Sequence, residues 1–179
     1  NNFCEDAIEI PNVVTGTDNN CLIDECNILA SAEPELDGCN MASQEVVWFT
    51  FDTDALAGKT AVQVSNATFN APTVQIFSGN CNGLVQESDC TTGANGVVTL
   101  TDVFVNPNTT YYIAVSNNGG NGGYFDVCVE TYEDGTNCVT DQGIEVIFTS
   151  KGSPLDGPFL PDETVGICYT VSFTPVGNG

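Results

Sequence analysis

Short segments rich in β-branched and aromatic residues recur along most of the chain, and this recurrence most constrains its fold. They lie at residues 45–51, 60–65, 73–78, 96–101, 109–116 and 123–131. In the first segment Val47, Phe49 and Phe51 occupy every second position, which is the period of a strand with one buried face. Asn-Gly pairs, which favour tight turns, separate several of the segments. The pattern predicts an all-β fold, an antiparallel β-sandwich rather than βαβ units.

The composition changes after the sixth segment, which predicts a domain boundary. Residues 1–132 hold the sandwich, and residues 133–137 read as a linker. Residues 138–179 contain two more strand-like segments, 142–150 and 163–175, joined by a stretch rich in Pro and Gly. Two strands do not bury a core alone. We therefore expect residues 138–179 to be an incomplete second β segment, either the start of a second β domain or strands that dock on a neighbour.

The cysteine content points to disulfides. The cysteines form no CxxC pair and the chain has no His, so a structural zinc site is not expected. Disulfides form in an oxidising compartment. Because there are nine cysteines, one is expected to be free or to pair outside this sequence.

Spacing alone does not determine how these cysteines pair. Cys81 and Cys90 are placed to clip a loop between strands, and Cys4 and Cys128 to close the first domain end to end. Cys21, Cys26 and Cys39 then remain for the long loop of the first domain, with one to spare. Cys168 is expected to pair either with Cys138 or outside this sequence.

The net charge of −22 excludes two classes of partner. The chain has 24 acidic residues against two basic ones, Lys59 and Lys151. Such a surface repels nucleic-acid phosphates and anionic lipid surfaces. No run approaches the ~18 consecutive apolar residues of a membrane helix, so membrane insertion is not expected. The acids are dispersed among apolar residues, which is typical of a folded acidic protein rather than of a disordered tail.

The residues for common catalytic machinery are missing, and we expect no enzyme. Without His there is no Ser-His or Cys-His pair. No phosphate-binding loop or dinucleotide motif occurs. The Gly-rich residues 117–126 lie between two strands with no helix to cradle a phosphate, so they are predicted to form a hairpin loop.

Calcium is the most reasonable metal for this sequence, because hard cations prefer carboxylate and carbonyl oxygens from loops. Asp52 and Asp54 lie two residues apart at a strand end, on the same side of an extended chain. Asp126, Glu5 and Asp6 are further candidates. The alternative is that these carboxylates are simply a solvated acidic surface.

Five aromatic residues are candidates for a surface that stacks on sugar rings: Trp48, Tyr111, Tyr112, Tyr124 and Phe125. Aromatic residues in strands of this kind are more often part of the core. Adjacent residues in a strand point to opposite faces, so one ring of a neighbouring pair is available to solvent or to another domain.

The order of five motifs resembles a known family. The motifs are “CEDAIEI” (4–10), “VVWFTFDTD” (46–54), “TVQIFSGNCNGLVQESDC” (73–90), “LTDVFVNPNTTYYIAVSNNGG” (100–120) and “GYFDVCV” (123–129). They resemble the jelly-roll-like β-sandwich repeats of large secreted surface proteins of Bacteroidota, which are similar to bacterial pre-peptidase C-terminal domains. The resemblance implies type IX secretion and a role in adhesins, including gliding-motility adhesins, or in accessory modules beside catalytic domains. The chain departs from the pattern in the extra cysteines of “CLIDEC” and in “CTTGANG”, where a double Asp is usual.

These observations favour a non-enzymatic extracellular module at the cell surface. It would serve adhesion, or space and display the adhesive parts of a large secreted protein. Its partners would be other domains of the same polypeptide or neighbouring subunits, with surface glycans as a further candidate. One alternative is a structural subunit of a surface filament assembled by strand addition. Another is an accessory carbohydrate-binding module of a secreted hydrolase. The chain opens without Met or a signal peptide, so we expect a processed or longer polypeptide.

Overall fold

The computed structural model describes residues 2–17, 20–32, 41, 44–119 and 122–134. The chain divides into two compact units, Asn1–Val139 and Thr140–Gly179. The second unit lies outside the described residues, as do Cys39, Cys138 and Cys168. The linker and the incomplete second β segment therefore stay predictions.

The described residues of the first unit form a short 3-10 turn, Cys4–Asp6, and ten strands. The strands are β1 (Ile8–Glu9), β2 (Asn20–Cys26), β3 (Val47–Asp52), β4 (Lys59–Ser65), β5 (Pro72–Asn80), β6 (Gly83–Gln86), β7 (Thr91–Thr92), β8 (Val98–Phe104), β9 (Thr110–Asn117) and β10 (Tyr124–Tyr132). One sheet has the order β1-β3-β9-β5-β6, with β7 also paired to β5, and the other has the order β2-β10-β4-β8. The predicted all-β sandwich is confirmed. Within the described ranges, no helix has the length and apolar character to cross a membrane.

The strand order is that of a jelly roll. The antiparallel pairs β2/β10, β3/β9, β4/β8 and β5/β6 are nested within one another, as in one long hairpin whose tip is β5–β6. This ribbon is rolled up, so that β2/β10 and β4/β8 lie in the four-stranded sheet and β3/β9 and β5/β6 lie in the six-stranded sheet. The ladders β10–β4 and β9–β5 connect the two pairs within each sheet. The short β1 is the exception, because it pairs with β3 in parallel. The expected jelly-roll-like sandwich is therefore present.

The six predicted strands correspond to β3, β4, β5, β8, β9 and β10. The hairpin predicted at residues 117–126 is wrong, because β9 and β10 belong to different sheets. The segment is a connection that crosses from one sheet to the other. Sequence inspection also missed β2, an edge strand in which no residue is fully buried and Ile23 and Asp24 are both exposed.

The main core lies between the two sheets and is rich in aromatic rings. Phe49 of β3 meets Phe125 of β10 edge-on, with ring centroids 6.0 Å apart. Phe51 and Tyr111 stack at 5.7 Å. These rings come from both sheets, so they join the two layers.

A second apolar cluster covers the outer face of the six-stranded sheet. Because side chains alternate along β3, Trp48 points away from the main core. Trp48 is nevertheless only 1% exposed, and its ring lies 5.6 Å from that of Phe77. Met41, Ala114 and Cys4 complete the cluster. Burial on both faces makes this sheet the more enclosed of the two, and leaves the outer face of the four-stranded sheet as the open one.

The disulfides differ from the expected pairs. The structure joins Cys4 to Cys81, where Cys128 was expected, and Cys21 to Cys128. Cys21 and Cys128 face each other directly in the β2–β10 ladder, with Cα atoms 4.1 Å apart. The expected Cys81–Cys90 clip is also wrong. Cys90 is disulfide-bonded, but not to Cys81.

Cys26 was one of three cysteines expected to supply a loop disulfide with one to spare, and the structure shows it as a free thiol. Its neighbour across the β2–β10 ladder is Tyr124, not another cysteine. Its sulfur accepts a hydrogen bond from the amide of Ile28 at 3.4 Å.

Candidate functional site

The open outer face of the four-stranded sheet is the main candidate surface. Along β10 every second side chain points to this face: Tyr124, Asp126, Cys128, Glu130 and Tyr132. Eight residue steps of an antiparallel strand span about 27 Å. The face therefore has the length of an extended ligand, with a Tyr at each end.

A shallow groove of about 300 Å³ lies in the middle of this face. Its lining residues come from β2, β4, β8 and β10: Cys21, Ala61, Gln63, Thr99, Thr101, Cys128, Val129 and Glu130. Gln63 Nε2 donates a hydrogen bond to Thr99 Oγ1 at 3.3 Å. Small and neutral polar side chains dominate the lining, and Glu130 is its single carboxylate. The groove therefore offers hydrogen-bonding groups without a strong local charge.

An aromatic residue and a cation mark one end of the groove. Phe104 is 67% exposed, and Lys59 Nζ lies 5.0 Å from its ring centroid. Lys59 also lies 3.4 Å from Asp102 Oδ1. The contacts of Lys59 with the Phe104 ring and with the Asp102 carboxylate limit the mobility of these side chains. Lys59 is the only basic side chain in the part of the chain that the structure describes.

A β-bulge in β8 creates this arrangement. The register of β8 against β4 shifts by one residue between Leu100 and Val103, and Asp102 has a φ of 59°. The turned amide of Asp102 donates to Tyr132 Oη at 2.9 Å, and Tyr132 Oη is 3.3 Å from Asp102 Oδ1. Burial raises the pKa of Tyr132, and the nearby Asp102 carboxylate raises it further. The phenol is thus held neutral as a partner for the bulge.

Asp126, near the other end of the face, is a structural carboxylate. It is buried, and its oxygens accept hydrogen bonds from the amide of Asp24 at 2.9 Å and from Asn66 Nδ2 at 2.6 Å. The Asp24 amide belongs to the bulge of β2 opposite Phe125 and Val127. Asp126 therefore holds an edge-strand bulge and the β4–β5 connection.

Asp54 organises the loops at the end of the sandwich where β10 ends. It accepts hydrogen bonds from the amide and hydroxyl of Thr15 at 2.8 and 2.6 Å, and from the amides of Leu56 and Ala57 at 2.9 and 3.1 Å. These donors favour the carboxylate, and the hydroxyl of Thr15 is the largest cause of the lowered pKa of Asp54. Thr15 in turn lies 3.3 Å from Thr131.

The predicted metal ligands do not come together in one group among the described residues. Asp52 accepts a hydrogen bond from Thr110 Oγ1 at 2.5 Å and shares a cleft of about 280 Å³ with Asp54. Glu5 and Asp6 lie in the 3-10 turn. Asp126 lies far from Asp54: Thr131, which is near Asp54 through Thr15, is five residues after Asp126 on β10, about 17 Å along the strand. Among the described residues, no three acidic or sulfur ligands are grouped to hold a metal ion. The calcium site stays a prediction.

Three of the five candidate aromatic residues belong to the interior. Trp48, Tyr111 and Phe125 are almost completely buried, Tyr112 is partly buried, and Tyr124 is 52% exposed. Sequence inspection missed Phe104. The signal was available, because Val103 and Val105 flank it and both point into the core.

Comparisons with known proteins bear on the fold only. No protein-family model and no curated protein matches the sequence. Among solved structures, the chain is similar to PirA, with 17% identity, coverage of 49% of this chain and 84% of that chain, and a TM-score of 0.33. It is also similar to CsCBM6-3 from Clostridium stercorarium in complex with cellobiose, with 12% identity, coverage of 71% and 97%, and a TM-score of 0.34. At these TM-scores the similarity carries no argument about function.

Proposed function

We propose that the chain is a non-enzymatic extracellular module that spaces and displays adhesive parts of a large surface protein. The observation that carries the proposal is the pair of disulfides: Cys4–Cys81 ties the first segment to the β5–β6 turn, and Cys21–Cys128 ties β2 to the last strand, β10. Disulfides of this kind form in extracellular or other oxidising environments. The motif order that resembles secreted repeats of Bacteroidota supports export, with type IX secretion as the expected route.

The two edge strands of the four-stranded sheet favour a module that stays separate from its neighbours. The four-stranded sheet has β2 and β8 as its edges. Each is bulged, and the bulge amides of Asp24 and Asp102 donate to side chains of the same sheet, Asp126 and Tyr132. Bulges and charges at edges oppose pairing with another strand. Together with a net charge of −22, this weighs against the filament built by strand addition.

The test is surface labelling and attachment of intact cells of the source organism. Antibodies are raised against the full 179-residue chain, and their Fab fragments are applied to intact and to permeabilised cells. We expect labelling of intact cells and reduced attachment of those cells to a solid support. Fab fragments of an unrelated antibody are the control. Labelling that needs permeabilisation would overturn the proposal.

The second candidate function is the binding of neutral surface glycans on the open face. It is favoured by the exposed ring of Phe104 beside a groove of neutral hydrogen-bonding side chains. Stacking of an aromatic ring on a sugar combined with a few polar contacts is a common mode of recognition. An acidic surface disfavours anionic glycans.

The full chain is tested for this function on an array of neutral oligosaccharides, including cello-oligosaccharides. We expect Phe104→Ala to abolish binding. Val85→Ala, which removes an equally accessible apolar side chain from β6 on the other sheet, is the matched control. An array without signal, or equal signals from both variants, would remove this candidate.

A further inference from the structure

The disulfides determine how far the two ends of the sandwich can be pulled apart. Cys4 lies near the start of the module, and Cys128 lies in its last strand. In a large surface protein under tension, force enters a module through these terminal segments. The covalent path between them, rather than the number of residues, then limits the extension.

Cys21 and Cys128 close the open end of the jelly-roll ribbon. They are partners in the outermost strand pair, β2/β10, and are 107 residues apart in sequence. All strands from β3 to β9 lie inside the ring that this bond closes. Tension between Cys4 and Cys128 can therefore run along the backbone to Cys21 and across the disulfide, so the ring carries none of the extension.

We propose that the module is a length-limited link, in which the Cys21–Cys128 disulfide bypasses the sandwich when the module is stretched. The path has 17 residue steps from Cys4 to Cys21. At ~3.6 Å per step and one disulfide, the two cysteines can separate by at most about 65 Å, even when all strand pairing is lost. Any additional bridge, such as that of Cys90, can only shorten this path.

The second disulfide provides a reserve path. Without the Cys21–Cys128 bond, tension can cross Cys4–Cys81 and follow the 47 steps from Cys81 to Cys128. The limit then becomes about 175 Å. With all bridges removed, the 124 steps from Cys4 to Cys128 extend to about 450 Å, close to seven times the oxidised limit.

The consequence is a module that can unfold under load without lengthening greatly. A stalk of such modules keeps nearly the same length under load, and an unfolded module remains compact enough to refold. Reduction converts the link into an extensible one. The physiological meaning of this behaviour rests on the proposed surface function, whereas the length limit does not.

The experiment is single-molecule stretching of the full chain between handles fused to its two termini. We compare the oxidised wild-type chain with the Cys21→Ser/Cys128→Ser double variant, and measure the total length gained at high force. We expect the double variant to gain up to about 110 Å more than the wild type, which is the difference between the two limits above; the bridge of Cys90 can reduce this gain. Residues 140–179 contribute equally to both chains. Cys26→Ser, which removes the free thiol, is the control and should match the wild type.

Equal lengths for the wild type and the double variant would overturn the bypass. The comparison does not need a folded variant, because the covalent path alone decides the final length. Mass spectrometry of a non-reducing digest verifies that Cys4–Cys81 has formed. Failure of the bypass is also distinct from failure of the proposed function. The former appears as a length, and the latter appears as absent labelling of intact cells.

Discussion

Removal of the Cys21–Cys128 disulfide is expected to be the most destabilising change that leaves the folded contacts nearly intact. The perturbation is the double substitution Cys21→Ser/Cys128→Ser. A double variant is needed because a single one would leave a second free thiol in addition to that of Cys26. The effect acts chiefly through the unfolded chain, which the crosslink prevents from expanding.

The magnitude follows from the connectivity. Because Cys4–Cys81 remains, the ring closed by the removed bond contains the 17 steps from Cys4 to Cys21 and the 47 steps from Cys81 to Cys128. The chain-entropy relation converts a ring of that size into about 4 kcal/mol at 25 °C. Measured values typically fall at ~2–4 kcal/mol, so we expect a loss of unfolding free energy in that range.

The assay is denaturant unfolding of the full chain, followed by the fluorescence of Trp48. Trp48 is the single Trp and is 1% exposed in the second apolar cluster, so its signal reports on the sandwich alone. The free energy is extrapolated to water, and the dependence on denaturant should steepen, because the uncrosslinked chain exposes more surface.

The control for this assay is Cys26→Ser, which removes a sulfur without opening a ring. It should change the unfolding free energy by no more than about 0.5 kcal/mol. A double variant that loses less than about 1 kcal/mol, or as little as the control, would refute the reasoning.

Three further substitutions probe the loops and edges of the sandwich, each by the same unfolding assay. Asp54→Ala should lower the unfolding free energy by about 1–2 kcal/mol at pH 7, because the loop donors lose their acceptor. Since the hydroxyl of Thr15 lowers the pKa of Asp54, the advantage of the wild type should persist above pH 3.8 and fade as the pH falls below it. A pH-independent difference would contradict this. Tyr132→Phe should lower the unfolding free energy by about 1 kcal/mol, because the amide of Asp102 in the β8 bulge loses its acceptor. Since burial raises the pKa of Tyr132, the wild type should lose this stability as the pH rises above 10. A variant with the same alkaline loss would disprove this role of Tyr132. Gly93→Ala should lower the unfolding free energy by about 1–3 kcal/mol, because its methyl group would collide with the carbonyl oxygen of Val97. Gly83→Ala, where the methyl group has open space, is the control and should be nearly neutral. Equal effects would show that the clash is relieved.

The local pattern of the sequence was sufficient to locate most of the sandwich. The alternation around Phe49 and Phe51 correctly placed one face of β3 in the core. The same rule placed Trp48 on the opposite face, but it did not reveal that this face is covered as well. Alternation reports which side a residue takes. It does not report what packs there, because the covering residues come from distant parts of the chain.

The candidate site was less accessible to sequence inspection. Asp52 and Asp54 were correctly placed at a strand end, but the partners of Asp54 include Thr15, 39 residues away in sequence. Phe104 and Lys59 meet only because β4 and β8 are neighbours and their register shifts at a bulge. No local pattern encodes a bulge between strands that are about 40 residues apart.

The sequence by itself determined the all-β class, the positions of the main strands, the acidic character and the presence of disulfides. These properties depend on residue composition and on periods of two residues, both of which are local. The tertiary structure alone decided which cysteines pair, which sheet face stays open and which strand ends the ribbon. Cys21 reaches Cys128 because the rolled ribbon makes β2 and β10 neighbours. Pairing between residues 107 positions apart is a property of chain topology, which only packing of the whole sandwich selects.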